Sequence, residues 1–225
     1  KAVKKHKADI GLAFDGDADR CFLVDEKGAL VNPSALTALI ATRELAKNPG
    51  ASIIYNLISS RAVKEVVEES GGTAIRSRVG HSYIKKLMAE TNAVFGGEHS
   101  GHFYFRDFWR ADSGMLAALH AIAALGESKK SLSELLKAFN RYHSSGEINS
   151  TVKDAASAMK KIEEIYGSGD GVEVDHLDGL TVSHADWWFN LRASNTEPLL
   201  RLNVEASAKS RMESVRDDVL NTIRS

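Results

Sequence analysis

Three aspartates spaced two residues apart form the densest group of chemically useful side chains in the sequence. They are Asp15, Asp17 and Asp19 of the segment DGDADR, which directly follows an apolar run at residues 8–14. Carboxylates this close repel one another unless a cation lies among them, and a tight loop can direct all three at one Mg²⁺. The spacing therefore predicts a metal site, against the alternative of a solvated acidic turn.

Two other kinds of site use a similar acidic loop. An EF-hand Ca²⁺ loop has a Glu at its twelfth position, which counted from Asp15 is Glu26, but the glycine that it requires at position six is Arg20 here. A phosphatase of the haloacid-dehalogenase type would use Asp15 as its nucleophile, although it usually has Thr or Val in place of Asp19. Both flanks of the loop are predicted strands, which disfavours the EF-hand. A phosphatase and a calcium-binding module remain the alternatives.

A second polar loop, GGEHSGH at residues 96–102, follows a short apolar run. Its glycines allow the backbone to pass close to a ligand, and Glu98 and Ser100 offer the acceptor and donor groups that suit sugar hydroxyls. A tight turn without any ligand can have the same composition. The loop therefore indicates sugar binding only in combination with the other motifs.

Two arginines bracket a third polar loop. Arg192 begins the segment RASNTEP at residues 192–198, and Arg201 follows it. Two guanidinium groups can hold a dianionic phosphate through paired hydrogen bonds, which an ordinary polar loop cannot do. The further donors of this predicted phosphate site are Ser194, Asn195 and Thr196.

His81, in the segment RVGHS at residues 78–82, stands at the start of a predicted helix. A histidine in that position is more often a capping or structural group than a catalyst. Its ordinary pKa of about 6.5 nevertheless suits proton transfer, so His81 is the candidate proton carrier.

Hydrophobic periodicity indicates the elements that must position these loops. Short apolar runs alternate with amphipathic segments as far as residue 142, which favours an α/β domain with a mixed, mostly parallel sheet and helices on both faces. The predicted strands are residues 8–14, 21–24, 52–56, 73–77 and 93–95, and the predicted helices are residues 34–47, 61–70, 82–90, 112–125 and 131–142.

A change of composition at residues 143–146, HSSG, predicts a domain boundary. Beyond it two helices enclose several strands, which is typical of a small α+β domain with an antiparallel sheet. The helices are expected at residues 154–166 and 209–223, and the strands near residue 172 and at residues 180–183, 187–191 and 199–204.

Composition excludes several classes of function. The 225 residues carry 29 Lys and Arg against 30 Asp and Glu, a balance that argues against nucleic acid or a membrane surface as the partner. The longest apolar stretch, residues 115–125, is far short of the roughly 20 residues that span a bilayer. One cysteine, Cys21, cannot form an internal disulfide, so the sequence predicts a cytoplasmic protein.

Taken in order, the four segments resemble the motifs of the α-D-phosphohexomutase family, most closely its bacterial phosphomannomutase/phosphoglucomutase branch. The resemblance implies an isomerase that moves a phosphoryl group between the 1 and 6 positions of a mannose or glucose phosphate, through a bisphosphate. DGDxDR is that family's Mg²⁺ loop, which places Arg20 beside the transferring group, and the family's GHS makes His81 a substrate contact. The implied substrate-binding residues are Glu98, Ser100 and His102 of GExSGH and Arg192, Ser194, Asn195 and Thr196 of RxSNTxP, with Arg201 beyond.

The sequence departs from the family pattern at two positions. His99 stands at the variable position of the sugar loop, where other branches have Met or Gln, so the preferred sugar stays open. Ile58 falls where some members have a lysine, so one phosphate or sugar contact is expected to be absent or supplied by another residue.

The resemblance also predicts a division into the end of domain 2 (residues 1–30), domain 3 (residues 31–142) and domain 4 (residues 143–225). The family's phosphoryl donor is a phosphoserine in domain 1, and no segment of this sequence matches it. We therefore expect the chain to need the N-terminal domains of the same enzyme as a partner and to be inactive alone. Because the three site motifs come from different segments, they are expected to line a cleft between domains.

Overall fold

The computed structural model describes residues 1–194 and 197–224. These residues form two compact units, Lys1–Arg141 and Tyr142–Ser225. In the first unit the helices are α1 (Ala2–His6), α2 (Pro33–Lys47), α3 (Arg61–Glu69), α4 (His81–Thr91), α5 (Gly114–Glu127) and α6 (Leu132–Leu136), and the strands are β1 (Ile10–Phe14), β2 (Cys21–Asp25), β3 (Ser52–Asn56), β4 (Thr73–Ser77), β5 (Phe95–Gly97), β6 (Phe103–Phe105) and β7 (Ala111–Asp112).

The first two strands form an antiparallel hairpin whose connection is the aspartate loop. Phe14 lies opposite Cys21, so the two ends of the loop are held together by the strand pairing. Cys21 and Leu23 alternate toward the main core of the unit and are buried there. The loop between the strands is thereby anchored on a packed element rather than on a free turn.

A five-stranded sheet in the order β4-β3-β5-β6-β7 lies at the centre of the first unit. Strand β3 runs parallel to both β4 and β5, as the alternation of strands and helices predicts. Strands β6 and β7 add to this parallel part in antiparallel orientation. The predicted α/β class is confirmed, although these two strands escaped prediction because they are only three and two residues long.

Helices cover both faces of this sheet. Neighbouring residues of a strand point to opposite sides, so each strand places apolar side chains on both faces. Ile53 belongs to the core shared with α2 and α5, whereas Ile54 packs with Ile84 and Met88 of α4. Strand β6 shows the same alternation, since Tyr104 lies in the α4 cluster and its two neighbours lie in the other core.

Side-chain caps define where several of these helices begin. Asn32 accepts a hydrogen bond from the Ser34 N–H, with Pro33 at the first helical position, and Ser113 accepts one from the Leu116 N–H at the start of α5. One predicted helix is too long: residues 131–142 form a helix only over Leu132–Leu136. Strand β8 begins at His143, and strand residues have extended rather than helical dihedral angles. The backbone between Leu136 and His143 therefore leaves the helical conformation before the strand.

The second unit is an antiparallel sheet with two helices. Its elements are β8 (His143–Thr151), α7 (Ala155–Tyr166), β9 (Glu173–Asp175), β10 (Leu180–Ser183), β11 (Trp187–Ala193), β12 (Leu199–Ala206) and α8 (Lys209–Arg224), and the strand order is β8-β12-β11-β10-β9. The α+β class with an antiparallel sheet is confirmed. The polar segment at residues 143–146 belongs to the edge strand β8, whose one-sided exposure explains its polar composition.

Alternation along the strands gives this second sheet one apolar and one polar face. Leu191 and Leu202 lie in a core that also contains Ile162 of α7 and Val215 of α8. The residues that alternate with these leucines along β11 and β12 therefore point away from the helices.

Within the described residues, no helix has both the length and the apolar character that crossing a membrane requires.

Candidate active site

The aspartate loop brings the three predicted metal ligands together. Asp15, Asp17 and Asp19 each offer a carboxylate oxygen, and these oxygens lie within 4.8 Å of one another. Ala18 adopts a left-handed conformation with φ 61°, and its N–H donates to the Asp15 carbonyl, so the loop is a tight turn. Because of this turn, the side chains of the three aspartates point toward one position, as their spacing predicts.

Arg20 holds one of these carboxylates in place. Its Nε donates to Asp15 Oδ2 at 2.7 Å, and its backbone N–H donates to Asp15 Oδ1 at 3.2 Å. Desolvation alone would raise the pKa of Asp15, but the hydrogen bonds and charge of Arg20 outweigh it and lower that pKa. The same interaction raises the pKa of Arg20. Asp15 is therefore held ionised, as a metal ligand must be.

Asp19 has the opposite electrostatic environment. Desolvation raises its pKa, and the neighbouring carboxylates of Asp17 and Asp15 raise it further, while His102 opposes the shift. Its Oδ1 atom is buried and accepts no hydrogen bond in the part of the chain that the structure describes. A buried carboxylate oxygen beside two other carboxylates fits a hard divalent cation that binds oxygen, such as Mg²⁺.

The N-terminus of α5 packs closely against the backbone of the aspartate loop. A Cβ added at Gly114 would lie 2.6 Å from the Arg20 carbonyl oxygen and 2.9 Å from that of Ala18. Such distances are far inside van der Waals contact, so only glycine allows the helix to approach the loop this closely. No sequence pattern predicts this contact, since Gly114 is far from the loop along the chain.

Glu98, predicted to bind sugar hydroxyls, is almost fully buried, with 2% of its surface exposed. Its carboxylate accepts hydrogen bonds from three neutral donors: Tyr104 Oη at 2.7 Å, the Gly80 N–H at 3.1 Å and Asn56 Nδ2 at 3.4 Å. Burial and the nearby charge of Glu98 both raise the pKa of Tyr104, so its hydroxyl keeps its proton and acts as a donor. The donors arrive from three separate elements and fix the orientation of the carboxylate.

His102 connects the sugar loop with the aspartate loop. Its Nε2 lies 3.6 Å from Asp19 Oδ2 and its Nδ1 lies 3.8 Å from Glu98 Oε2, while Ser100 Oγ is 3.0 Å from the same Nδ1. An isolated β-bridge between Arg20 and His102 joins the two backbones. The structure therefore brings the predicted metal and sugar motifs into one site within the first unit.

Two charged residues of this site were not predicted from the sequence. Asp112, on β7, places its Oδ2 4.0 Å from His102 Nε2 and its Oδ1 3.0 Å from Lys85 Nζ. Lys85 also lies over the Tyr104 ring, 5.7 Å from its centroid. Neither residue belongs to a recognisable local motif, and no signal short of the fold brings them to His102.

His81 is the first residue of α4 and its side chain is exposed. The preceding Gly80, with φ 129°, forms the N-cap and donates its N–H to Glu98. The turn that carries His81 is thus tied to the sugar loop. Ile58, at the turn after β3, is buried and offers no polar group to a ligand.

The second unit contains the predicted phosphate site, which we call the phosphate cup and define by Arg192, Ser194 and Arg201. Arg201 Nη2 donates to Ser194 Oγ at 3.3 Å, and the two arginines lie directly opposite each other on β11 and β12. The Nε atoms of both arginines are buried and donate no hydrogen bond to the described residues. Asn195 and Thr196, also predicted for this site, lie outside the described residues.

Three family models match successive parts of the chain. They describe phosphoglucomutase/phosphomannomutase alpha/beta/alpha domain II at residues 1–28, alpha/beta/alpha domain III at residues 32–142 and the C-terminal domain at residues 147–222. Together they include nearly every residue of the sequence.

Curated relatives give the same assignment. A phosphomannomutase of Methanocaldococcus jannaschii is 46% identical over 223 residues, which are 99% of this chain and 49% of that protein. A phosphomannomutase of Escherichia coli is 43% identical over 223 residues, again 99% of this chain and 49% of the relative. The chain thus spans about half the length of the curated relatives that it matches.

Solved structures agree with the sequence matches. A phosphoglucomutase/phosphomannomutase family protein from Burkholderia thailandensis superposes with a TM-score of 0.85 at 32% identity, covering 99% of this chain and 48% of that one. An Aspergillus fumigatus N-acetylphosphoglucosamine mutase, solved in complex with GlcNAc-6P and magnesium, has a TM-score of 0.69 at 14% identity over 95% of this chain and 48% of that one. At that identity the second match shows the fold alone.

Proposed function

The chain belongs to the α-D-phosphohexomutase family, and on that premise we propose that it supplies the metal, sugar and phosphate sites of a phosphomannomutase/phosphoglucomutase. The reaction moves a phosphoryl group between the 1 and 6 positions of mannose or glucose phosphate through a bisphosphate. The domain assignments are the end of domain 2 at residues 1–30, domain 3 at residues 31–142 and domain 4 at residues 143–225.

The observation that carries this proposal is the contact between the aspartate loop and the sugar loop. His102 lies between Asp19 and Glu98, within 4 Å of each. A phosphatase or a calcium-binding module would need the aspartates alone and would leave the buried Glu98 without a purpose. A mutase needs both, because charge must be neutralised where the phosphoryl group transfers and the sugar must be oriented beside it.

Asp15, Asp17 and Asp19 would hold Mg²⁺, as their oxygen-only donor set favours. When bound, the ion neutralises negative charge on the transferring phosphoryl group. Magnesium is present in the Aspergillus fumigatus mutase complex, which has the same fold.

The chain's own residues would bind and orient the substrate and stabilise charge beside it. The Arg20 guanidinium, which is fixed by Asp15, would stabilise charge beside the transferring group, and His81 would carry a proton to or from a sugar hydroxyl. Glu98 would accept a sugar hydroxyl hydrogen bond, with Ser100 and His102 beside it. The non-reacting phosphate would bind to the cup residues and their neighbours: Arg192, Ser194, Asn195, Thr196 and Arg201.

The phosphoryl donor is proposed to be a phosphoserine in the part of the relatives' length that this chain does not span. The 225-residue chain alone is accordingly expected to bind Mg²⁺ and phosphosugar without turnover. Interconversion of mannose 1-phosphate and mannose 6-phosphate by the purified chain would contradict that assignment, and hydrolysis of either would favour a phosphatase.

The metal assignment is tested by replacing Asp17 with Ala and titrating Mn²⁺, a paramagnetic substitute for Mg²⁺, in water-relaxation measurements. Loss of one of three carboxylate ligands is expected to weaken binding by at least tenfold. Asp170→Ala, which removes an exposed aspartate from the second unit, is the control and should leave the affinity unchanged. Equal Mn²⁺ affinity in wild type and Asp17→Ala would refute the metal site.

A further inference from the structure

The two arginines of the phosphate cup repel each other in the absence of a ligand. Arg192 and Arg201 are a directly opposed pair on adjacent antiparallel strands, a position in which like charges are destabilising. Their sequence neighbours Leu191 and Leu202 belong to the core beneath the sheet, so both guanidinium groups lie on the face away from α7 and α8. Negative charge is needed on that face to offset the repulsion.

Glu147 on the edge strand β8 supplies this charge. Its Oε1 lies 3.6 Å from Arg201 Nη1, and its Oε2 lies 3.7 Å from Arg192 Nη2. The neighbouring Ile148 packs against the core, so strand alternation places the Glu147 side chain on the same face as the arginines. One carboxylate therefore bridges both cations of the cup.

A second carboxylate completes the charge balance. Asp178 Oδ2 lies 3.9 Å from Arg192 Nη1. The turn reaches this position because the next residue is Gly179, with φ 76°, where a Cβ would lie 2.4 Å from the Leu191 carbonyl oxygen. Two arginines thus face two carboxylates, and the four side chains together carry no net charge.

We infer that Glu147 is an internal counter-ion of the phosphate cup, which occupies both arginines when no anion is bound and lowers their affinity for a phosphate monoester. A phosphate dianion offers the same two guanidinium groups stronger paired hydrogen bonds, so phosphate and Glu147 compete for one set of donors. The inference rests on the proposed function of the cup. It adds a reason for moderate affinity, because a phosphosugar that must turn over between two transfers has to be released from this cup.

Calorimetric titration of the 225-residue chain with inorganic phosphate at pH 7.5 tests the inference. Glu147→Gln keeps the size of the side chain and removes its charge, and we expect it to bind phosphate about threefold to tenfold more tightly, the range typical of a partly exposed charge pair. Glu147→Asp retains the charge and should stay within about twofold of wild type. The matched control is Glu164→Gln on the exposed surface of α7, which makes the same change in net charge and should have no effect.

The outcomes separate this inference from the proposed function. Unchanged or weaker phosphate binding by Glu147→Gln, in a chain whose wild-type binding is abolished by Arg192→Ala, overturns the counter-ion alone. So does equal tightening by Glu147→Asp or by the α7 control. If neither wild type nor Glu147→Gln binds phosphate, the cup itself is refuted. Should Glu147→Gln fail to fold, Glu147→Thr is a second neutral variant with high β-propensity, and the same affinity comparison applies.

Discussion

Glu98, the proposed sugar-binding residue, shows how a buried carboxylate is held by neutral groups. Among the described contacts of Glu98, the hydrogen-bond donors are a phenol, a backbone N–H and an amide, and a histidine stands 3.8 Å away. Each donor removes part of the desolvation penalty that an ionised carboxylate pays in the interior. The chain's own donors set the orientation of the carboxylate, which is the preorganisation that the proposed sugar site requires.

The shortest of these bonds gives a prediction at the scale of one residue. Tyr104→Phe retains the buried ring and removes only the hydroxyl, so Glu98 loses a donor that nothing replaces. We expect the free energy of unfolding to fall by about 1–3 kcal/mol and the affinity for mannose 1-phosphate to fall with it, measured by urea denaturation and calorimetry. Tyr83→Phe on the exposed side of α4 is the matched control. Equal stability losses in the two variants would show that the Tyr104 hydroxyl does not support Glu98.

Among the elements, helix α5 has the closest relation to the aspartate loop. A Cβ on its first residue, Gly114, would collide with the backbone carbonyls of Ala18 and Arg20, and its capping residue Ser113 follows the Asp112 that lies near His102. One helix terminus therefore supports both the loop that would hold the metal and the histidine beside it. If this helix terminus moves toward the loop, the loop has to move with it, because the neighbouring atoms are backbone carbonyls and not side chains that can change rotamer.

Two glycines of α5 allow a matched test of that contact. Gly114→Ala places a methyl group 2.6 Å from a carbonyl oxygen, so we expect a loss of about 1–3 kcal/mol in stability and weaker Mn²⁺ binding. Gly126→Ala, in the same helix, meets no atom within 4 Å and should stabilise the chain by up to about 1 kcal/mol, since alanine is the better helix former. Chemical denaturation and Mn²⁺ relaxation measure both. Parallel behaviour of the two variants would rule out the steric role of Gly114.

At the scale of the whole molecule, each compact unit has a hydrophobic core of its own. The buried core of the second unit is built from three of its strands and both of its helices, with Phe189, Leu200 and Val219 among its fully buried members. The phosphate cup and Glu147 lie on the opposite face of the same sheet. The second unit thus contains both a core and the proposed phosphate site.

From this we predict that residues 142–225 fold as a separate chain. A domain of this size can bury enough apolar surface for marginal stability, so a single cooperative urea transition is expected. Trp187 and Trp188 are buried in the second unit, and their blue-shifted fluorescence is the readout. Emission typical of exposed tryptophan without urea, and no cooperative transition, would show that the core is insufficient by itself.

Local patterns account for most of the elements and for the chemistry of the site loops. Strands 52–56, 73–77 and 180–183 were predicted with their observed ends, because turn residues such as Gly72 and Gly179 stand directly before or near them in the sequence. The short strands β6 and β7 were not, because they are only three and two residues long, and the early end of α6 was not, because the strand β8 that follows it pairs with the distant strand β12. The aspartate, glutamate and arginine motifs were recognisable because each is contiguous in sequence.

The sequence by itself determined the family, through the resemblance of its four ordered motifs, and it determined the fold class and the residue types of the site, which depend on composition, periodicity and spacing along the chain. Only the tertiary structure decided that His102 lies between Asp19 and Glu98, that Tyr104 orients Glu98 and that Glu147 bridges Arg192 and Arg201. Glu147 and Arg201 are more than fifty residues apart along the chain. Distances of this kind follow from how strands pair and cores pack, and no local pattern records them.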